Sequence, residues 1–225
     1  MTRVRVLTYN ILMGGRRGAA LHEVVREVAP DVLLVNESPK LPIFWKRRCI
    51  RLCERWGMSY VGGGRKAGSN LIAVSGDVRV KSVTTRKLKQ PFFKPRRGIA
   101  AAQLRVDGKL FGVVACHLSL TREGRASEVK QILAVASTLR GPVVVAGDLN
   151  EKPGGPSWQR LQQAGFADHG SSEWWTYPAD NPTTRIDALL VRGSVTVEHH
   201  GDPGVPEELQ VLASDHRGVL AVIDF

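Results

Sequence analysis

The sequence predicts an α/β fold, and two kinds of pattern support this. Apolar, largely β-branched runs at residues 32–35, 110–115 and 143–146 have the length and composition of buried strands. Apolar residues also recur at helical spacing over residues 21–28, before the first run, and over residues 126–139, between the second run and the third. A chain of 225 residues can bury one large core, so we expect a single domain spanning residues 1–225.

The N-terminal elements indicate a βαβ beginning. Residues 3–9 alternate between charged and apolar side chains, as a half-buried strand does, and the run ends at Asn10. The helix over residues 21–28 is stopped by Pro30 before the next strand. A basic helix is predicted at residues 43–56, and the glycine-rich residues 62–68 are predicted to form a mobile loop.

The rest of the chain continues as strands and helices. Asp107-Gly108 between two alternating runs predicts a tight hairpin turn, and Gly141-Pro142 ends the helix before residues 143–146. Further strands are predicted at residues 70–74, 78–84, 99–106, 109–116, 186–191, 195–199 and 219–223, with a short helix at 156–164.

The charge balance favours a polyanionic partner. Thirty-two Lys and Arg residues against 21 Asp and Glu give a net charge of +11. Nucleic acid is the partner this predicts, although a generally basic proteome or a need for solubility would give the same total. Position favours a binding surface, because the segment 79–97 concentrates cations around two aromatic residues. These residues are Arg79, Lys81, Arg86, Lys87, Lys89, Phe92, Phe93, Lys94, Arg96 and Arg97.

Membrane insertion and disulfide formation are not expected. No apolar stretch is long enough to span a bilayer, and residues 1–5 lack an apolar signal core, so the cytoplasm is the expected compartment. Cys49, Cys53 and Cys116 lack the spacing of a zinc cluster and are predicted to be reduced and structural.

Polar groups follow the ends of the apolar runs. Asn36-Glu37, Cys116-His117 and Gly147-Asp148-Leu149-Asn150 each come directly after one, and Ser214-Asp215-His216 precedes the last strand. Strand ends at one edge of a sheet are where active sites of α/β proteins tend to lie. The pattern therefore predicts a catalytic, metal-dependent site assembled from distant strands.

These motifs resemble those of the endonuclease/exonuclease/phosphatase superfamily, which has the deoxyribonuclease-I-like fold. The resemblance implies a four-layer α/β/β/α sandwich of two packed, mostly antiparallel β-sheets, with the site at one rim between the sheets. The motifs are Thr8-Tyr9-Asn10, Pro30-Asp31 to Glu37, His117-Leu118, Gly147-Asp148-Leu149-Asn150, Arg185-Ile186-Asp187 and Ser214-Asp215-His216.

The resemblance also implies Mg²⁺-dependent phosphodiester hydrolysis, with Mn²⁺ as a substitute. Mg²⁺ prefers oxygen ligands, and the resemblance makes Glu37 its direct ligand, with Asn10 and Asp215 completing the shell directly or through water. Asp148 would orient or deprotonate the attacking water, and Asn150 would hold that water or a phosphate oxygen.

Further residues are implied as partners of the substrate. His216, oriented by Asp187, would act as a base or as a cationic clamp, and His117 resembles the second imidazole of the nuclease, phosphodiesterase and sphingomyelinase branches. Asn70 matches an asparagine at the same rim. The basic residues Arg96 and Arg97 are expected to contact the polyanion. In the loop 174–181, Trp175 and Tyr177 could stack on a base or an apolar group, whereas core packing explains Trp174 or Trp175 equally well.

Two positions depart from the family pattern. Asn36 stands where the family usually has Gln before its glutamate ligand, which shortens the amide that would support Glu37. In secreted nucleases of this fold the first histidine has a glutamate partner from the intervening segment. Here that segment offers only Glu54, Asp77 and Asp107, so His117 is expected to lack such a partner.

Three functions follow from these patterns. The first is a nuclease acting on DNA or RNA. The second is a phosphatase or phosphodiesterase for a lipid headgroup or a small phosphoester, since the fold does not choose the substrate. The third is a nucleic-acid-binding or protein-binding module with a vestigial site.

Overall fold

The computed structural model describes residues 1–89, 96–171 and 173–225. These residues form twelve strands and five α-helices. Phe92, Phe93 and Lys94 of the basic segment lie outside the described residues. The strands are β1 (Arg3–Asn10), β2 (Val32–Asn36), β3 (Ser59–Gly64), β4 (Asn70–Val74), β5 (Arg79–Lys87), β6 (Gly98–Val106), β7 (Lys109–His117), β8 (Val143–Asp148), β9 (Ala167–Asp168), β10 (Asp187–Arg192), β11 (Thr196–Gly201) and β12 (Val219–Asp224). The helices are α1 (Gly18–Val28), α2 (Trp45–Arg55), α3 (Arg122–Ala136), α4 (Pro156–Gln163) and α5 (Glu207–Ala213).

The strands form two six-stranded sheets, each with a parallel pair near its middle. The first sheet has the order β11-β12-β1-β2-β4-β3, and the second has the order β5-β6-β7-β8-β10-β9. Strands β1 and β2 are parallel, as are β7 and β8, and every other pairing is antiparallel. Parallel neighbours bring their C-terminal ends to the same edge, so Asn10 lies beside Asn36 and His117 beside Asp148.

The sheets pack face to face around a shared apolar core. Alternate residues of β1, β2, β4, β6, β7, β8, β10 and β12 fill the space between the sheets. The outer face of the first sheet is covered by α1, α2 and α5, and that of the second by α3 and α4. This confirms the four-layer α/β/β/α sandwich with mostly antiparallel sheets that the sequence predicted.

The prediction of a mobile loop at residues 62–68 is wrong. Gly62, Gly63 and Gly64 belong to β3, which pairs with β4, and Arg65–Ala67 form one turn of 3₁₀ helix. A Cβ atom at Gly63 would lie 2.1 Å from the Asn70 carbonyl oxygen. The glycines therefore serve close packing of backbones, which the sequence pattern does not distinguish from flexibility.

Several local predictions are confirmed. Asp107 and Gly108 form the hairpin turn between β6 and β7, with positive φ angles of 46° and 81°. Cys49 and Cys53 lie buried on α2 as free thiols, and Cys116 is also buried and free. Helix α5, in contrast, was not predicted.

Among the described residues, no helix is both long and apolar enough to cross a membrane.

Candidate active site

Strand register brings three of the predicted site residues into one row. In the second sheet, His117 at the end of β7 lies opposite Asp148 at the end of β8. Asp148 lies in turn opposite Asp187, the first residue of β10. The three residues are at most 4% exposed. Residues 70 positions apart in the chain thus meet because three neighbouring strands end or begin at the same edge.

His216 completes this cluster from the other sheet. It precedes β12, and its Nδ1 donates a hydrogen bond of 2.8 Å to Asp187 Oδ2. Its Nε2 lies 3.8 Å from Asp148 Oδ2, while His117 Nε2 lies 3.3 Å from the same oxygen. Asp148 is therefore placed between two imidazoles. It also supplies the carboxylate contact that the sequence analysis expected His117 to lack.

Asn10 and Asp215 approach the same cluster from the first sheet. The Asn10 side-chain nitrogen donates to Asp148 Oδ2 at 3.3 Å and lies 3.4 Å from His216 Nε2. Ser214 Oγ donates to the Asn10 carbonyl oxygen at 2.6 Å, and it lies 3.3 Å from Asp215 Oδ1. The hydroxyl of Ser214, to which the sequence analysis gave no role of its own, links the end of β1 to the segment that carries Asp215 and His216.

Asn36 joins the two sheets at the floor of the site. Its side-chain nitrogen donates to Asn70 Oδ1 at 2.8 Å and to the Cys116 carbonyl oxygen at 2.7 Å. Its side-chain oxygen accepts the Asp148 backbone N–H at 2.8 Å. The amide at this position therefore fixes the backbone of Asp148. Its contact with Asn70 explains why that asparagine lies buried at the same rim.

Two site residues adopt left-handed backbone conformations at strand ends. Glu37 has a φ of 54° and Asn150 a φ of 48°, which residues other than glycine seldom adopt. The Asn150 N–H donates to Asp148 Oδ1 at 2.8 Å, and its side chain donates to the Leu118 carbonyl oxygen at 2.8 Å. These two hydrogen bonds of Asn150 hold the sharp turn after β8 against Asp148 and against Leu118.

The surroundings of the two imidazoles shift their pKa values in opposite directions. Burial lowers the pKa of His117 well below its usual value, and the charges of Arg97 and His216 act in the same direction. Burial also opposes protonation of His216, but the charge and hydrogen bond of Asp187 outweigh it and raise the pKa to about 9. Burial and the charge of Asp187 raise the pKa of Asp148 to about 7. Near neutral pH, His117 is therefore neutral and His216 is cationic.

The donor atoms at this rim fit a hard cation. Asp148, Asp187 and His216 have ligand atoms within 4.8 Å of one another, a spacing that could hold a metal ion. A protonated His216 has no lone pair to offer, however, and it is engaged by Asp187. The carboxylate of the half-buried Glu37 has no ion pair or side-chain hydrogen bond with any other described residue. Oxygen donors from Glu37, Asp215 and Asn10 match the preference of Mg²⁺.

A cleft opens beside Glu37 and His117. It has a volume of about 410 Å³, and Arg96 and Arg97 of the basic segment line it. Their contact with a polyanion stays a prediction. Lys87 of the same segment lines the cleft as well. Two further cations, Lys40 and Arg65, were missed because they lie on separate elements, and only the folded chain brings them beside the basic segment.

The two predicted aromatic contacts are placed differently. The ring of Tyr177 contacts the ring of His216 with 4.8 Å between centroids and an angle of 44° between the ring planes, so it forms one wall of the cluster. Trp175 is 47% exposed and lines another cleft together with Lys152 and Arg185. Its contact with substrate stays a prediction. The core packing considered for this pair applies to Trp174, which packs against the apolar core between the sheets.

Comparison with known structures identifies the fold. The endonuclease/exonuclease/phosphatase of Bacteroides vulgatus shares 18% identity, with 100% of each chain covered and a TM-score of 0.81. A mannosyl-6-phosphatase of Bacteroides thetaiotaomicron shares 17% identity, with 99% of this chain and 100% of that chain covered and a TM-score of 0.80. TDP2 of D. rerio, complexed with a single-strand DNA product, shares 16% identity, with 100% of each chain covered and a TM-score of 0.73.

Sequence comparison identifies the family. No curated protein sequence matches the chain. The profile of the Endonuclease/Exonuclease/phosphatase family matches residues 7–216, which include the whole cluster from Asn10 to His216. The chain therefore belongs to the endonuclease/exonuclease/phosphatase family.

Proposed function

We propose that this chain is a metal-dependent phosphodiesterase that acts on nucleic acid. The observation that carries the proposal is the cationic cleft, because it opens directly onto Glu37 and His117. A phosphodiester bound at the cluster would extend its neighbouring phosphates into a basic surface. The net charge of +11 and the DNA product bound to the related D. rerio TDP2 structure agree with this choice of substrate.

Asp148 is the residue we propose for activating the attacking water. Its pKa of about 7 suits a general base at neutral pH, since it can accept a proton and release it again. The N–H of Asn150 and the side chain of Asn10 hold its two oxygens, which fixes the direction of attack. Asn150 itself would hold the water or a phosphate oxygen.

The two histidines would share the work of stabilising negative charge. His216 is held in its cationic form by Asp187 and would compensate the charge that develops on the phosphate oxygens. His117 would act as a neutral hydrogen-bonding partner of the phosphate, in keeping with its lowered pKa. Tyr177 would help to keep the His216 ring in place through the tilted contact between the two rings.

Mg²⁺ is the cofactor that we propose, with Mn²⁺ as a substitute. Glu37 would bind it directly, and Asn10 and Asp215 would complete the ligand set directly or through water. When bound, the ion supplies positive charge next to the non-bridging phosphate oxygens and the leaving group. The oxygen-only donor set and the unengaged Glu37 carboxylate support this assignment.

A second candidate function is hydrolysis of a lipid headgroup or another small phosphoester. Three apolar side chains next to Lys40 favour it, because Leu41 is 56% exposed and Ile43 and Phe44 are each 68% exposed. Exposed apolar residues beside cations suit the surface of a membrane with anionic lipids. The related mannosyl-6-phosphatase shares the fold.

A substrate panel tests both candidates. Purified protein is incubated with plasmid DNA, single-stranded RNA, lipid vesicles, inositol phosphates, mannose 6-phosphate and bis-p-nitrophenyl phosphate, with Mg²⁺, with Mn²⁺ and with EDTA. We expect cleavage of nucleic acid that requires the metal. Glu37→Gln and His216→Ala should each lower the rate by at least about a hundredfold.

Two exposed residues provide matched controls for these variants. Glu208→Gln and His169→Ala make the same chemical changes on the surface, away from the cluster, and should retain full activity. Turnover of the lipid or sugar phosphates with intact nucleic acid would favour the second candidate. DNA binding with no turnover of any substrate would point instead to a binding module with a vestigial site.

A further inference from the structure

The cleft beside Glu37 gathers more positive charge than a single phosphodiester requires. Among the residues that the structure describes, five cationic side chains and one acid, Glu37, line a volume of about 410 Å³. The five are Lys40, Arg65, Lys87, Arg96 and Arg97.

These cations come from separate elements at one margin of the sandwich. Arg65 follows the edge strand β3, and Lys87 ends the edge strand β5 of the other sheet. Within the described parts of the chain, Lys40, Arg65, Lys87 and Arg96 have no ion pair with a carboxylate. Their charge therefore remains available to an anion that enters the cleft.

The cleft is electrostatically continuous with the catalytic cluster. The charges of Arg97 and Lys40 both lower the pKa of His117, so these two cations act on that imidazole. Asp148 and Glu37 act on Arg97 in return. An anion held by these cations would therefore lie next to the group attacked at the cluster.

The charge of the anion decides what fits. A phosphate that bridges two nucleotides carries a single negative charge, and successive phosphates of an extended strand would spread along a groove. A terminal phosphate monoester carries roughly −1.5 to −2 at neutral pH and offers three acceptor oxygens at one point. Five cations around one compact cleft match the second kind of group.

We propose that the cleft binds a compact phosphate group with close to two negative charges, next to the phosphodiester that is cleaved. The group is a terminal phosphate of a nucleic-acid strand. Only the place of this group beside the cleaved bond rests on the proposed function. Cleavage would then occur close to a phosphorylated strand end.

Binding can be measured without metal and without turnover. Inorganic pyrophosphate is titrated by calorimetry into the full-length protein in EDTA. We expect Lys40→Ala, Arg65→Ala and Lys87→Ala each to weaken binding about tenfold, the effect of losing one charge-assisted contact. Lys66→Ala removes an exposed cation adjacent to Arg65 that does not line the cleft, and should leave the affinity unchanged. Circular dichroism verifies that each variant is folded.

Dinucleotides identify the source of the phosphate. With Mg²⁺, kcat/KM is compared for a dinucleotide bearing a 5′-phosphate, one bearing a 3′-phosphate and one bearing neither. We expect one phosphorylated form to be cleaved at least about tenfold faster than the unphosphorylated form, and Arg65→Ala to abolish that preference. If no dinucleotide is cleaved, the preference is read instead from their affinities in EDTA.

The outcomes separate this inference from the proposed function. Pyrophosphate binding that depends on the cleft cations, without cleavage of any diester, would support the cleft and overturn the nuclease. Cleavage of nucleic acid with equal rates for all three dinucleotides would support the nuclease and overturn the terminal-phosphate site. Equal weakening by Lys66→Ala and Arg65→Ala would also overturn it, because the binding would then reflect overall charge.

Discussion

At the scale of single residues, His117 and His216 show how neighbours set the charge of a buried imidazole. Both rings lie within 3.8 Å of the same Asp148 oxygen, and burial opposes protonation of both. Only His216 has a second carboxylate, Asp187, at hydrogen-bonding distance. That contact raises the pKa of His216, while burial and the nearby charge of Arg97 lower the pKa of His117, so a neutral ring and a cationic ring lie side by side.

Replacing Asp187 by Asn should therefore change the pH dependence of activity. The substitution removes the charge that raises the pKa of His216 to about 9, so the imidazolium should lose its proton at lower pH. If catalysis needs the His216 imidazolium, the alkaline limb of the pH profile of kcat/KM should shift to lower pH by more than about one unit. Initial rates on bis-p-nitrophenyl phosphate between pH 6 and 10 measure the shift.

The raised pKa of His216 also makes the stability of the protein depend on pH. A folded-state pKa above the unfolded value stabilises the protein fully below about pH 6.5, and the benefit is lost as the pH rises through about 9. The difference in unfolding free energy between the native protein and the Asp187→Asn variant should therefore shrink in that range. An unmoved alkaline limb would show that another group controls it.

At the scale of elements, strand ends and their close contacts create the site. Gly147 precedes Asp148 on β8 with a φ of 138°, and a Cβ atom there would lie 1.9 Å from the Cys116 carbonyl oxygen. The same atom would lie 2.9 Å from the Asn36 side-chain oxygen, which accepts the Asp148 N–H. The glycine thus lets β7, β8 and the amide of Asn36 meet.

Gly147→Ala should consequently destabilise the fold and misplace Asp148. We expect a loss of about 2 kcal/mol or more in unfolding free energy, measured by urea denaturation, because a backbone carbonyl has to move. Gly14→Ala is the matched control, since Gly14 has a φ of 130° but no atom within 4 Å of the added Cβ. Equal losses in the two variants would mean that the backbone angle alone sets the cost.

The elements also show what a sequence can and cannot predict here. Apolar runs that end in polar residues predicted several strand ends at one edge of a sheet. The family resemblance was needed for Asp187 and His216, because Asp187 begins a strand and His216 precedes one. Strand β3 was missed, since its three glycines suggest a loop when their packing partners are unseen. Asn36 was identified as a departure from the glutamine usual in the family. Its three hydrogen bonds could not be predicted, because they depend on how the strands pair. The cleft cations Lys40 and Arg65 carry no sequence signal that links them to the basic segment 79–97.

At the scale of the whole molecule, the net charge of +11 predicts a strong effect of salt on polyanion binding. Each phosphate contact with a single strand contributes about −0.7 to the slope of log affinity against log salt concentration. Five successive phosphates of one strand in contact with the five cleft cations would give a slope of about −3.5, whereas one terminal phosphate held in the cleft would give a much shallower slope. Fluorescence anisotropy of a labelled oligonucleotide in EDTA measures it.

Charge reversal at Arg96 adds a local test of this surface. Arg96→Glu should make the salt slope less steep by about 0.7 or more and weaken cleavage of the oligonucleotide. Hydrolysis of bis-p-nitrophenyl phosphate, which has no neighbouring phosphate, should change far less. An equal loss on both substrates would contradict a role of Arg96 in holding the polyanion.

The placement of the five cleft cations has a consequence for how this protein can diverge. They occupy the margin of the sandwich, on edge strands and connecting segments, whereas the acids and imidazoles sit at the ends of interior strands and on the segment leading into β12. Substitutions at the margin can change which substrates bind, while the cluster of acids and imidazoles keeps its geometry. Substrate preference is therefore the trait of this scaffold that selection can alter with the least disturbance.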